Sequence, residues 1–329
     1  MHTGPRMYKA ILLGAFGSIS IAYAHTASAQ TYPSKPVRMI VPWAPGGTSD
    51  VAARIVAQKL TVSWATQVFV ENRAGAGGTI GTAFAAKTPP DGYSLLMGSS
   101  TELVVSPHVY KNVAYNTLND FVPIAYVAAQ PLVLAVTPQL PVNSVQELVA
   151  LAKARPGSLN CSSSGKGSTL HLAQLLFESA AQVKFFHIPY SGSPQAAAST
   201  VTGETQVHFG SLTAVLELVR NGNLRGLAVT GLQRSFALPD VPTVAEAGVP
   251  EFEIVIWNTL LGPRDVSPDI VNKLNGEMDR LLETADIRDA FSRLSMNISP
   301  MNRQQLSSMI AKEWTRMENV IAASGATFD

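Results

Sequence analysis

The segment that most restricts what this chain can fold into is Val41-Pro42-Trp43-Ala44-Pro45-Gly46-Gly47-Thr48-Ser49-Asp50. It follows the apolar run Val37–Val41, which reads as a buried strand. It precedes Val51, Ala52, Ile55, Val56 and Leu60, which recur at helical spacing. The segment is therefore a strand-to-helix turn. Gly46 and Gly47 put no Cβ in the way of a bound group. Thr48 or Ser49 can cap the new helix. Its first-turn N–H groups form a small positive end that suits an anion such as a carboxylate.

The same alternation continues along the chain. Gln67–Glu71 reads as a second strand, followed by the glycine turn Asn72–Gly78 and a helix over Thr79–Lys87. Tyr93–Met97 reads as a third strand ending at Gly98-Ser99-Ser100-Thr101. Alternating strands and helices imply a parallel sheet with helices on its faces, and in such sheets ligands sit beyond the carboxyl ends of the strands. Phe121–Val136 is long and apolar, interrupted at Gln130-Pro131, and reads as one strand leaving a first lobe and another entering a second. Ser144-Val-Gln-Glu147 is a capping box. Strands are expected at Leu159–Ser163, Lys184–Pro189, Gln206–Phe209 and Leu224–Thr230, with a further glycine turn at Ser164-Gly165-Lys166-Gly167-Ser168. The stretch 234–250, rich in Pro, reads as irregular, and Ile254–Leu261 as a strand returning to the first lobe. Ser267-Pro268 starts a helical tail in which Leu306, Met309, Ile310, Trp314, Met317 and Ile321 form a core-facing stripe.

Arg6 and Lys9, the apolar stretch Ala10–Tyr23 and Ala27-Ser28-Ala29 have the pattern of a secretory leader cleaved after Ala29. The apolar stretch is short for a membrane span. A chain of 329 residues, 46% hydrophobic and 14% charged, can bury the core of two domains. Its formal charge of +1, with no run of either sign, gives no nucleic-acid or membrane-surface footprint. The one cysteine, Cys161, excludes an internal disulfide and reads as a core residue.

Catalytic and cofactor motifs fail on spacing. Gly75-Ala-Gly77-Gly78-Thr-Ile-Gly81 is one residue off the dinucleotide fingerprint, and Gly165-Lys166-Gly167-Ser168 lacks the upstream Gly of a P-loop. Ser163-x-x-Lys166 matches the S-x-x-K of penicillin-interacting hydrolases, but Gly165 and Gly167 oppose the helix that motif requires. His171, His187 and His208 are scattered and make no metal set. What remains is a series of donor-rich turns: hydroxyls of Ser99, Ser100, Thr101, Ser163, Ser164, Ser168, Ser191 and Ser193, with glycine N–H groups beside them. His171, three residues into the helix after Ser168, is expected to brace that turn. Asp50 caps the first helix or holds its turn, and Trp43 is expected to line the cleft.

Read together, Tyr32–Pro36, Val41–Asp50, Val70–Gly78, Pro90-Asp91-Gly92-Tyr93, Gly165–Leu172, His187–Tyr190 and Leu238–Thr243 resemble the Bug-type, TctC-like solute receptors of tripartite tricarboxylate transporters. The match runs in order over essentially the whole mature chain. It implies an α/β, type II periplasmic binding protein, with two α/β lobes joined by crossing hinge strands in a Venus-flytrap arrangement. Residues 1–29 would be the signal peptide, 30–127 and 251–329 one lobe, and 128–250 the other. The resemblance also implies a small carboxylate held between the lobes. By position its contacts fall on Trp43, Ala44, Gly46, Gly47 and Asp50, on Ser99 and Ser100, on Ser163, Ser164, Gly167, Ser168 and His171, and on Tyr190. Ser162, Lys166 and Ser193-Pro194 depart from the usual pattern. Lys166 either pairs with a second carboxylate or is a solvated side chain.

The expectation is a periplasmic, non-enzymatic, monomeric receptor without metal or cofactor. It would serve a membrane permease of a tripartite tricarboxylate transporter. The alternatives are a sensory receptor of the same fold serving a signalling protein, and an exported serine hydrolase using Ser163 and Lys166.

Overall fold

In the computed structural model, residues 1–4 and 32–324 are described. The core of the expected leader and its cleavage point after Ala29 fall outside them.

The chain alternates strand and helix as the apolar periodicities require. β1 (Val37–Val41) leads to α1 (Thr48–Trp64), and β2 (Val68–Asn72) to a single 3-10 turn and α2 (Thr79–Ala86). β3 (Ser94–Ser99) leads to a π-helical turn, Thr101–Val105, and the short α3 (Ser106–Val109). β4 (Phe121–Val136) and α4 (Val145–Ala154) precede three strand–helix units. These are β5 (Asn160–Ser163) with α5 (Thr169–Ala181), β6 (Phe186–Pro189) with α6 (Ser193–Val201), and β7 (Val207–Ser211) with α7 (Leu212–Arg220). β8 (Arg225–Val229) and β9 (Val255–Pro263) complete the strands, and α8 (Pro268–Leu282), α9 (Ala285–Arg293) and α10 (Arg303–Ser324) form the tail.

The strands fall into two sets of the same order. One runs β2-β1-β3-β9-β4; the other runs β6-β5-β7-β4-β8. β1 is parallel to β2 and β3, and β5 is parallel to β6 and β7, while β4 and β9 run antiparallel to their neighbours. β4 belongs to both sets. The expected pair of strands at 121–136 is thus one 16-residue strand. Its first part pairs with β9 and its second with β7 and β8, so Gln130-Pro131 marks the change of partner and not a break. Pro131 lacks an N–H and sits at the last position paired with β9, where the ladder loses least.

The apolar faces are buried in clusters, one confined to the first set and its helices and one shared by both sets. Val37, Met39, Val41, Leu95 and Met97 pack with Ala52, Val56 and Leu60 of α1 and with Val271, Leu274 and Met278 of α8. At about 1.5–3 kcal/mol for each buried aliphatic side chain, this layer anchors β1 and the start of α1. Cys161 lies with Phe177, Phe209 and Leu134 in a second cluster that also takes Leu306, Ile310, Met317 and Ile321 of the α10 stripe. Because α1, α5, α6 and α7 each follow a strand in a parallel pairing, their N-termini collect at the strands' carboxyl ends.

Candidate functional site

At the carboxyl end of β1 the chain turns at Gly46, whose φ of +85° suits glycine. Its N–H donates to Asp50 Oδ2 at 2.9 Å. The same carboxylate accepts from Arg54 Nε at 2.9 Å and from Asn72 Nδ2 at 2.9 Å. Burial opposes its ionisation, but the hydrogen bonds from Arg54, Gly46 and Asn72 outweigh that and hold its pKa below the ordinary carboxylate value. Asp50 therefore fastens the turn to its own protein and is not among the residues that line the adjoining cleft.

That cleft is lined by the beginnings of four helices. Gly47, Thr48 and Ser49 come from α1, Leu170 from α5, Ser193 from α6, and Ser211 immediately precedes α7. Trp43, Ser99, Thr101, Ser164 and Ile256 complete it. α1, α6 and α7 start without a side-chain cap, whereas Ser144 and Ser267 cap α4 and α8. First-turn N–H groups of the three cleft helices are thus left for whatever lies among them. Among the described residues no Lys or Arg lines the cleft, so an anion there would meet neutral donors and helix ends.

The cleft is narrow. Its free volume is about 40 Å³, enough for about three waters. Thr101 Oγ1 and Thr169 Oγ1 lie 2.6 Å apart, Tyr110 donates to the Lys166 carbonyl at 2.5 Å, and Thr48 donates to Gln130 Oε1 at 2.9 Å. Hollows of about 230, 350 and 420 Å³ occur elsewhere. They are larger, but none gathers more than one helix N-terminus, and we place the candidate site in the small cleft on that chemistry.

Of the residues to which the resemblance assigned ligand contacts, Trp43, Gly47, Ser99 and Ser164 line the cleft, and of the other turn residues singled out in the sequence Thr48, Ser49, Thr101 and Ser193 do so as well. Ala44 and Gly46 flank it: a Cβ on Gly192 would lie 3.1 Å from Ala44 Cβ, and one on Gly46 would lie 3.3 Å from Pro194. Ser100 is buried, and its hydroxyl makes no hydrogen bond. Ser168 caps α5 through His171 N at 3.2 Å. The His171 ring braces the turn as expected, with Nδ1 accepting from Gly167 N at 3.3 Å. It also stacks on His187 at 3.7 Å between centroids. Burial first, and then the nearby Lys166, keep both rings neutral, and His171 is further held so by His187. The His171 pKa is lowered to about 3 by burial first, then by His187 and Lys166; the His187 pKa is lowered to about 4 by burial, then by Lys166.

Ser163 spends its hydroxyl on His187 Nε2 at 2.7 Å and on the Gly165 carbonyl at 3.0 Å. Lys166, in turn, is exposed. Tyr190 is turned toward Ser199 and Glu204 and does not line the cleft. Leu170, Ser211 and Ile256 went unread in the sequence, although Ser211 stands at a strand-to-helix junction like that at Gly47. So did Glu102, a lone acid beside Leu103-Val104-Val105, which accepts from Trp43 Nε1 at 2.8 Å and from the Ser99 hydroxyl at 2.6 Å.

Among the described residues no group of three or more His, Cys, Asp or Glu is arranged to hold a metal ion. Comparison with known proteins agrees on one lineage. Residues 52–326 match the model of the tripartite tricarboxylate transporter family receptor, TctC. Protein BugT of Bordetella pertussis is 39% identical over 319 residues, covering 96% of this chain and 98% of that protein. The structure of R. palustris Rpa4515 with adipate superposes with a TM-score of 0.87 at 32% identity, covering 89% of this chain and 98% of that one. MatC from Rhodopseudomonas palustris with bound malate gives 0.83 at 27% identity, covering 88% and 100%. The fold is that of two-lobed periplasmic binding proteins, and the chain belongs to the TctC family of tripartite tricarboxylate transporter receptors.

Proposed function

We propose that this protein is a periplasmic receptor that captures a small carboxylate and presents it to the membrane permease of a tripartite tricarboxylate transporter. The observation that carries this reading is the meeting of uncapped helix N-termini in one cleft free of Lys and Arg among its described residues. A carboxylate there gains charge-assisted hydrogen bonds, each worth about 1.5–3 kcal/mol, without an opposite charge. The related structures with adipate and malate support the ligand class. The lobes are residues 30–127 with 251–329, and 128–250, and β4 and β9 are the hinge. The cleft as it stands is too small for such an acid, so binding proceeds through an open form, and contacts completed only on closure shift the balance between the two. Gly47, Thr48 and Ser49 form the clamp on one side; Ser164 and Ser193 face it from the other. The leader is removed on export.

Titration calorimetry of the mature protein against mono- and dicarboxylates, aromatic ones included, tests this. Micromolar or tighter binding of at least one is expected. No binder across the panel would overturn the reading.

A further inference from the structure

Glu102 is fully buried behind the cleft wall. Its Oε2 accepts from the Ser99 hydroxyl at 2.6 Å and from Trp43 Nε1 at 2.8 Å, and its Oε1 accepts from the Ser99 N–H. Ser99 and Trp43 both line the cleft. A hydroxyl has one proton and an indole one N–H, so each residue has given its only side-chain donor to the carboxylate. Toward the cleft, Ser99 then offers only oxygen lone pairs, and Trp43 only its ring. Glu102 itself is 0% exposed and is not among the residues that line the cleft.

We propose that Glu102 is a specificity-determining positioning residue: by taking the Ser99 and Trp43 protons it makes their wall donor-free and selects carboxylates whose other end is uncharged, apolar or hydroxyl-bearing. This rests on the carboxylate-receptor reading and names the ligand class within it. A second carboxylate against this wall would find no donor and, with Glu102 ionised, a like charge behind the first layer of side chains. A hydroxyl would find the Ser99 lone pair, and an apolar or aromatic tail would find the Trp43 ring.

The test compares matched probes, hexanoate with adipate and benzoate with terephthalate, by calorimetry at pH 8.5. That is above the value of about 7 to which burial raises Glu102. The wild-type protein is expected to prefer the monocarboxylate in at least one pair by tenfold or more. In Glu102→Gln the amide nitrogen faces donors at either position, the Ser99 N–H at one or the Ser99 hydroxyl and Trp43 N–H at the other; placed at the Oε2 position it accepts neither side-chain donor, a wall donor returns to the cleft, and the preference is expected to shrink at least tenfold. A wild-type preference for the dicarboxylates overturns the inference and leaves the receptor reading standing; it needs no variant and so does not depend on the folding of Glu102→Gln. An unchanged ratio in a variant with the wild-type circular dichroism also overturns it. Failure of all four probes overturns the inference, and extending that failure to the whole carboxylate panel sinks the receptor reading with it.

Discussion

Thr101 and Thr169 meet hydroxyl to hydroxyl at 2.6 Å, one at the start of the π-helical turn after β3 and the other at the first residue of α5. The Thr169 N–H also donates to Thr101 Oγ1 at 3.3 Å. These two positions are far apart in sequence and follow strands of the two different sets, so their contact bridges the sets beside the cleft.

Thr169→Val keeps the shape and removes the hydroxyl. Losing one such hydrogen bond costs about 1 kcal/mol, so the open form should gain about fivefold in relative population. Small-angle scattering of the ligand-free protein should report a larger radius of gyration for this variant. An unchanged scattering curve would mean that the threonine pair does not hold the cleft closed.

Gly167 has φ +69°, and a Cβ there would stand 2.9 Å from Tyr110 Cε2. Gly167→Ala should therefore weaken carboxylate binding by at least tenfold by wedging the two sides apart. Adding Tyr110→Ala relieves the wedge but not the backbone strain of about 1 kcal/mol. Partial recovery of affinity in the double variant, read by calorimetry, is the expected sign; no recovery would assign the whole effect to the backbone.

Asp50 accepts from Gly46, Arg54 and Asn72 while only 2% exposed. Asp50→Asn sets an amide donor against these donors. An unsatisfied buried group costs about 1–3 kcal/mol, so the urea midpoint should fall with an unchanged slope. A midpoint equal to that of the wild type would show that the turn does not depend on this carboxylate.

Buried imidazoles give stability a pH dependence with a defined sign. Burial, the first cause for all three, lowers His171 to about 3, His187 to about 4 and His208 to about 4, from 6.5. Between those values the unfolded chain binds more protons, so this contribution is complete above pH 6.5 and is lost as pH falls toward 4, at up to about 1.4 kcal/mol per unit for each group. Glu102 acts oppositely. Burial raises it from 4.5 to about 7, so its contribution is complete below pH 4.5 and is lost as pH rises through 7. Thermal melts should show Tm falling from pH 6.5 to 4.5. Across pH 4.5–7 Glu102 opposes the histidines, so Glu102→Gln, which lacks that opposing slope, should lose Tm more steeply on acidification than the wild type. A Tm that rises on acidification would contradict the neutral burial of the histidines.

Much of the path to the site was legible from local chemistry. The apolar run before Pro42 and the helical spacing after Asp50 specified β1 and α1, because periodicity and turn residues act over short stretches of chain. Ser144 and Ser267 announced α4 and α8 as caps, and the α10 stripe from Leu306 to Ile321 announced a buried face. Phe121–Val136 looks like two strands in the sequence, since Gln130-Pro131 resembles an interruption until β9 and β7 supply successive partners.

The sequence by itself determined which turns are rich in N–H and hydroxyl donors, since glycine, serine and helix-start patterns are properties of neighbouring residues. Only the tertiary structure decided which of those donors remain available. Ser163 is spent on His187, Ser168 on capping α5, and Ser99 on Glu102, while Ser193 and Ser211 reach the cleft already paired with each other, the Ser211 N–H donating to Ser193 Oγ at 3.0 Å. A hydrogen bond between distant residues consumes a donor without leaving any mark in the spacing around it, and that is why Glu102 became visible only once β3 and the turn after β1 lay side by side.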